Sequence, residues 1–130
     1  MTPDLTYLAW TALLLALLWM PYAIGLTIEH GLPTPKVYRD PTVPHLPLWV
    51  QRTSRAHINL VQAFAPFATL VLIAHVTAQA NESTALWVML FFWSRVGHAI
   101  VHVLGIPYIR SVFFLFGVVA VVMLFLEVIG

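Results

Sequence analysis

The sequence contains no cysteine and very few charged residues. Lys plus Arg number 6 and Asp plus Glu number 5 in 130 residues, so charged residues make up 8% of the chain, against about 25% in a soluble domain. Without cysteine, the chain can form no disulfide, no thiolate metal site and no cysteine nucleophile. With a net charge of only +1, the composition also excludes a disordered chain and a nucleic-acid-binding protein.

Apolar residues dominate instead, at 61% of the sequence with a mean hydropathy of +0.90. They fall into four long runs, and a helix of about 20 residues crosses a bilayer. We therefore predict one domain over residues 1–130, an all-α integral membrane bundle of four transmembrane helices. The helices are predicted at about residues 5–28, 52–80, 84–104 and 111–129, with a cytoplasmic loop at 29–51. The first run is expected to be a membrane helix because the segment before it carries Asp4 and no basic residue, unlike a signal peptide.

The basic residues predict the orientation of the helices in the membrane. Four of the six lie in or beside the first loop: Lys36, Arg39, Arg52 and Arg55. Arg110 follows the third connection, whereas the second connection carries only Glu82. The positive-inside rule then places the N- and C-termini outside the cytoplasm. A bacterial inner membrane is favoured over the endoplasmic reticulum because the C-terminus has no retention signal.

Polar residues within the apolar runs form two stripes. On the second helix, a spacing of i, i+3, i+7 and i+10 puts one set on a single face: Arg52, Arg55, Asn59 and Gln62. On the third helix, Arg95, His98 and His102 share a face in the same way. Arg110 and Ser111 open the fourth helix. These residues predict a positively charged polar cleft that opens to the cytoplasm, with Arg95 about 14 Å below the cytoplasmic end of its helix.

No carboxylate is predicted near Arg95, and a charge within the bilayer is costly unless it finds a partner. One explanation is a ligand with carboxylates or phosphates. The alternative is a structural pairing of Arg95 with Asn59 or Gln62, with Arg52 and Arg55 serving only as anchors at the membrane surface. His98 and His102 have a spacing that can bind a metal, but without a third ligand we predict no metal site.

Two segments resemble the MAPEG family, the membrane-associated proteins of eicosanoid and glutathione metabolism. The run QRTSRAHINLVQAFAPF, residues 51–67, is similar to the family signature at Arg52, Arg55, Ala56, Asn59 and Pro66. The run SRVGHAIVHVLGIPYIRSVFF, residues 94–114, is similar to the family's junction of the third and fourth helices. Its matching residues are Arg95, His98, Gly105, Pro107, Arg110 and Ser111.

The resemblance implies a homotrimer with glutathione bound between subunits as substrate or cofactor. It assigns the catalytic role to Arg110, which would support the glutathione thiolate, and to Ser111, which would assist. The residues implied to bind glutathione are Asn59, Gln62, His98 and His102, with Arg52, Arg55 and Arg95 supplying a positive field. The implied function is a membrane-bound glutathione-dependent transferase or peroxidase that acts on lipophilic electrophiles in contact with membrane lipid.

Some positions depart from the family pattern and keep other functions open. Gln51 and Gln62 replace glutamates, His102 and Phe114 replace tyrosines, and Ile58 replaces a ligand-contacting arginine of some members. These changes favour the alternative of a non-enzymatic scaffold or lipid-binding protein with the same fold. A small transporter or proton relay based on His98 and His102 is a third hypothesis.

Overall fold

Four long helices make up residues 2–30 and 47–130, which are the residues that the computed structural model describes. They are α1 (Pro3–His30), α2 (Leu48–Val76), α3 (Glu82–Leu104) and α4 (Ile109–Ile129). Each is long and apolar enough to cross a membrane. At 1.5 Å per residue even α4 is about 30 Å long, which equals the hydrocarbon thickness of a bilayer. The predicted number and type of helices are confirmed.

The helix ends differ from the predicted ones by a few residues. α2 begins at Leu48, four residues before the predicted start, with Pro47 at its N-cap position. It ends at Val76 rather than at residue 80, because Ala78 takes a left-handed conformation with a φ of 59°. α3 begins at Glu82 because Asn81 and Thr84 form a capping box. Of the predicted loop 29–51, residues 31–46, with Lys36 and Arg39, lie outside the described residues.

Different contacts between the helices hold the two ends of the bundle together. At one end, which we call the Gly105 end, α1 finishes beside the start of α2, and Gly25 packs against Trp49 and Val50. The short turn from α3 to α4 lies at this same end. At the opposite end, the Asn81 end, Ser83 of α3 donates a 2.6 Å hydrogen bond to Glu127 of α4. The polar residues of both predicted stripes lie between the bundle centre and the Gly105 end.

The apolar core occupies the half of the bundle toward the Asn81 end. The rings of Phe67 (α2) and Phe91 (α3) are stacked with centroids 3.8 Å apart. Buried residues of α2, α3 and α4 surround the two rings: Val71, Val88, Ala120 and Leu124. Many large apolar side chains remain exposed on the outside, for example Trp10, Trp93 and Leu115. Exposed apolar area of this extent is typical of a surface that faces lipid.

Candidate functional site

Arg95 lies near the middle of α3 and is almost completely buried, with 2% of its surface exposed. Its guanidinium group donates a hydrogen bond through Nη2 to Oδ1 of Asn59 on α2. The sequence left open whether Arg95 pairs with an amide, and the pairing with Asn59 is observed. Nε of Arg95 has no partner within the described part of the chain. One amide therefore satisfies only part of this buried cation, which leaves it able to attract an anion.

The fourth helix packs over Arg95 at Gly117. A Cβ atom built on Gly117 would lie 3.5 Å from Cδ of Arg95 and 3.6 Å from Oγ of Ser94. These are ordinary van der Waals distances, so a side chain no larger than that of alanine leaves room for the arginine here. The close approach of α3 and α4 thus fixes where the Arg95 side chain lies.

A polar cavity of about 320 Å³ lies at the Gly105 end of the bundle. Residues of α2, α3 and α4 line it: Asn59, His98, His102, Arg110, Ser111 and Phe114. His98 and His102 are one helical turn apart, with ring centroids separated by 5.3 Å. Their exposed fractions are only 4% and 9%. Arg110 and Ser111 are exposed, so the cavity combines two buried imidazoles with an accessible cation and hydroxyl.

A second cavity of about 290 Å³, the apolar groove, continues toward the bundle centre between α2 and α4. It shares Asn59 and Phe114 with the polar cavity. Its remaining lining residues are Gln62, Ala63, Pro66, Phe91, Arg95, Gly117, Val118, Val121 and Val122. Along one line from the Gly105 end to the centre, the walls therefore change from cationic and hydrogen-bonding to apolar. Such a shape suits a ligand or a pair of ligands with one polar and one apolar part.

The other predicted site residues lie outside the polar cavity. Arg52 lies against the turn after α3, because a Cβ built on Gly105 would lie 2.5 Å from Cζ of Arg52. There its charge meets the negative end of the α3 helix dipole, a stabilising position for a cation. Arg55 is exposed at the same end of α2, and Gln62 is an exposed residue in the wall of the apolar groove.

The described residues bring no third metal ligand to His98 and His102. No group of three or more His, Cys, Asp or Glu in the described residues could hold a metal ion. Both imidazoles instead share the cavity with the guanidinium group of Arg110. The arrangement therefore suits an anionic ligand better than a cationic metal.

Sequence reasoning missed the apolar groove and Gly117, and it noted Phe114 only as a departure from the family pattern. Phe114 forms a wall of both cavities, whereas the sequence marked it only as a replacement for a tyrosine of some family members. Gly117 carried a usable signal, because a glycine among bulky residues within a helix often marks a close approach. Which helix it approaches depends on tertiary packing, which the periodicity of α4 alone does not reveal.

Comparison with known proteins gives a match to one protein family. No curated protein and no solved structure matches the chain. The sequence profile of the MAPEG family, in contrast, matches residues 6–130, which is nearly the whole chain. The match covers nearly all of α1, the other three helices in full and every residue of both cavities. The chain, an integral membrane protein of four helices, therefore belongs to the MAPEG family.

Proposed function

We propose that this protein is a membrane-bound enzyme that uses glutathione to conjugate or reduce lipophilic electrophiles. The observation that carries the proposal is the junction of the two cavities at Asn59 and Phe114. A hydrophilic thiol in the polar cavity and an apolar molecule in the groove would meet at this junction. Family membership supports a glutathione-related function in general terms.

The charges near the polar cavity suit a tripeptide with two carboxylates and a thiol. Asn59, His98 and His102 would donate hydrogen bonds, and Gln62 would do so from the neighbouring groove. Arg52, Arg55 and Arg95 would contribute a positive field that attracts the carboxylates. In this proposal the cofactor or cosubstrate is glutathione, and all seven residues serve its binding.

Arg110 would perform the main catalytic task. A thiolate, not a thiol, is the nucleophile, and a nearby guanidinium group favours the thiolate. Arg110 lines the polar cavity and is accessible, and Ser111 beside it would donate a further hydrogen bond to sulfur. Because the nucleophile belongs to the ligand, the reaction needs no cysteine in the protein.

The second substrate would enter from the bilayer. The wall of the apolar groove includes Val118, Val121 and Val122 of α4, of which Val118 and Val122 are exposed on a helix long enough to span the membrane. A molecule dissolved in lipid could reach the groove without passing through water. The transfer of such a molecule from lipid into the groove costs little free energy, since the groove is itself apolar.

The assembly and location belong to the same proposal. We propose a homotrimer with sites near the subunit boundaries, in a bacterial cell membrane, with both termini outside the cytoplasm. The Gly105 end, where Arg52, Arg55 and Arg110 lie, would then face the cytoplasm, in keeping with the positive-inside rule.

Calorimetry with the detergent-purified protein tests glutathione binding, and conjugation of chlorodinitrobenzene tests the reaction. We expect saturable binding at millimolar glutathione or below and release of chloride in proportion to the conjugate. Crosslinking and light scattering would first establish that the protein is folded and assembled. The absence of binding in such a sample would overturn the proposal.

A second candidate function is a non-enzymatic lipid-binding protein or scaffold. The apolar character of the groove favours it, because four of its lining residues are Val118, Val121, Val122 and Phe91. In that case, a fluorescent fatty acid would bind to the detergent-purified protein, and glutathione would neither bind nor displace it. Under the enzyme proposal, glutathione binds whether or not the groove is occupied.

A further inference from the structure

His102 is a buried base without a partner. Its imidazole lines the polar cavity and is 9% exposed. Neither Nδ1 nor Nε2 has a hydrogen-bond partner among the described residues. Buried polar groups in proteins nearly always have one, so two unpartnered nitrogens in a cavity wall point to a role toward whatever occupies the cavity.

The acids whose side chains the structure describes lie at the opposite end of the bundle. Asp4 lies at the start of α1 beside Asn81 and Glu82. Glu127 accepts a hydrogen bond from Ser83 at that same Asn81 end. Among the described residues that line the cavity, the other base is His98, whose ring centroid is 5.3 Å from that of His102.

The charged groups that act on His102 come from three helices. They are Arg52 and Arg55 on α2, Arg95 on its own helix and Arg110 on α4. The described side chains of α1 contribute no charge at this end, since their one carboxylate, Asp4, lies at the Asn81 end. Four neighbouring positive charges repel a proton held on the imidazole. Once the imidazole has accepted a proton, the same charges favour its release to water.

These observations separate two tasks in forming a thiolate. A guanidinium group such as that of Arg110 stabilises the thiolate and so sets how much of it exists at equilibrium. It stays protonated near neutral pH and accepts no proton. Removing the proton at a useful rate requires a base within reach, and positioned bases typically accelerate such steps by about 10²–10⁴-fold.

We propose that His102 is a catalytic base that takes the thiol proton from glutathione in the polar cavity and transfers it to water. The inference rests on the proposed function. In the step, the S–H bond breaks, its electron pair stays on sulfur, and an N–H bond forms on the imidazole. Water or a buffer base then removes that proton, which restores the neutral imidazole. Arg110 determines the amount of thiolate and His102 determines how fast it forms.

The test follows thiolate absorbance in the ultraviolet after rapid mixing of the protein with glutathione. The variant His102→Gln keeps a side chain of similar reach that donates hydrogen bonds but cannot accept a proton. We expect thiolate formation to slow by about 10²-fold, with the final absorbance unchanged. Free imidazole in the buffer should restore the rate in His102→Ala, where the side chain leaves room for it. A purely structural role for His102 would not give this rescue.

Two matched variants complete the experiment. His75→Gln makes the same change on an exposed histidine toward the other end of α2 and should leave the rate unchanged. His98→Gln should slow thiolate formation far less than His102→Gln does. A larger effect at His98, or an unchanged rate in His102→Gln, would overturn the proposal while the proposed function stands.

Other outcomes are also decisive. If the wild-type protein binds no glutathione, the proposed function fails and the role of His102 falls with it. If neither His102 variant folds, the wild-type protein provides the test, because a site with its own base gains nothing from added imidazole. Acceleration of thiolate formation by imidazole in the wild-type protein would then contradict the proposal.

Discussion

The Arg95 guanidinium on α3 donates a hydrogen bond to the side-chain oxygen of Asn59 on α2. This contact joins the two polar stripes in the middle of the bundle. It also lies at the junction of the polar cavity and the apolar groove, because Asn59 lines both. One interaction thus supports the helix packing and positions a wall of the candidate site.

Removing the amide should destabilise the fold. In Asn59→Ala, Arg95 stays buried without its observed acceptor, and we expect the free energy of unfolding to fall by about 1.5–3 kcal/mol. Thermal unfolding in detergent, followed by circular dichroism, measures the change. Asn59→Asp keeps an acceptor for Arg95 and should retain most of the stability. Equal melting temperatures for Asn59→Ala and the wild type would show that the hydrogen bond contributes little.

The close packing at Gly117 makes side-chain size critical there. Gly117→Ala should be tolerated, because the added Cβ would make ordinary contacts with Arg95 and Ser94. Gly117→Leu should lower the free energy of unfolding by about 1–3 kcal/mol, since the larger side chain must displace Arg95 or push α4 away. Denaturant titration compares the two. Val119→Leu on the exposed face of α4 is the control for added bulk, and it should behave as the wild type does.

Gly105 combines a left-handed conformation with a close neighbour. Its φ is 76°, and a Cβ would meet the guanidinium of Arg52. Gly105→Ala should therefore cost about 1–2 kcal/mol from backbone strain and also displace Arg52. Gly105→Asn tests the strain separately, because asparagine tolerates this conformation better. The double variant Gly105→Ala with Arg52→Ala tests the contact between the two residues. If its loss in free energy of unfolding equals the sum of the losses in the two single variants, Arg52 and Gly105 are not coupled.

Replacing Arg110 should lower the reaction rate without affecting folding. Under the proposed function, Arg110→Ala lowers the conjugation rate by about 10²–10³-fold, the loss typical of removing a group that stabilises developing negative charge. Assembly and melting temperature should hardly change because the side chain is exposed. Arg55→Ala removes an exposed arginine that lines neither cavity and should have a much smaller effect. Similar losses in both variants would indicate that only the general positive field matters.

Filling the apolar groove should weaken binding of the lipophilic substrate and leave glutathione binding unchanged. Val121→Phe places a ring in the groove, and we expect the KM for a lipophilic electrophile to rise by about tenfold, equivalent to about 1.4 kcal/mol of lost contact. The dissociation constant of glutathione should stay within twofold, because Val121 does not line the polar cavity. Val119→Phe, on a neighbouring exposed position, is the control. A parallel loss of glutathione binding would mean that the two cavities do not act separately.

Much of the fold could be predicted because its cause is local in the chain. The four apolar runs define four helices, since a lipid-exposed backbone must satisfy its own hydrogen bonds. The spacing of Arg95, His98 and His102 places them on one face, because an α-helix has 3.6 residues per turn. Helix ends were less predictable. The left-handed Ala78 that ends α2 and the capping box that starts α3 depend on local backbone geometry.

The sequence by itself therefore determined the number of helices, their membrane character and which polar residues share a helix face. Tertiary structure decided which residues of different helices meet. Arg95 contacts Asn59, Arg52 lies against Gly105 and Gly117 packs against Arg95. Phe114 lines both cavities. Helical periodicity fixes the direction of each side chain around its own axis, but the rotation and depth of one helix relative to another follow from the packing of all four.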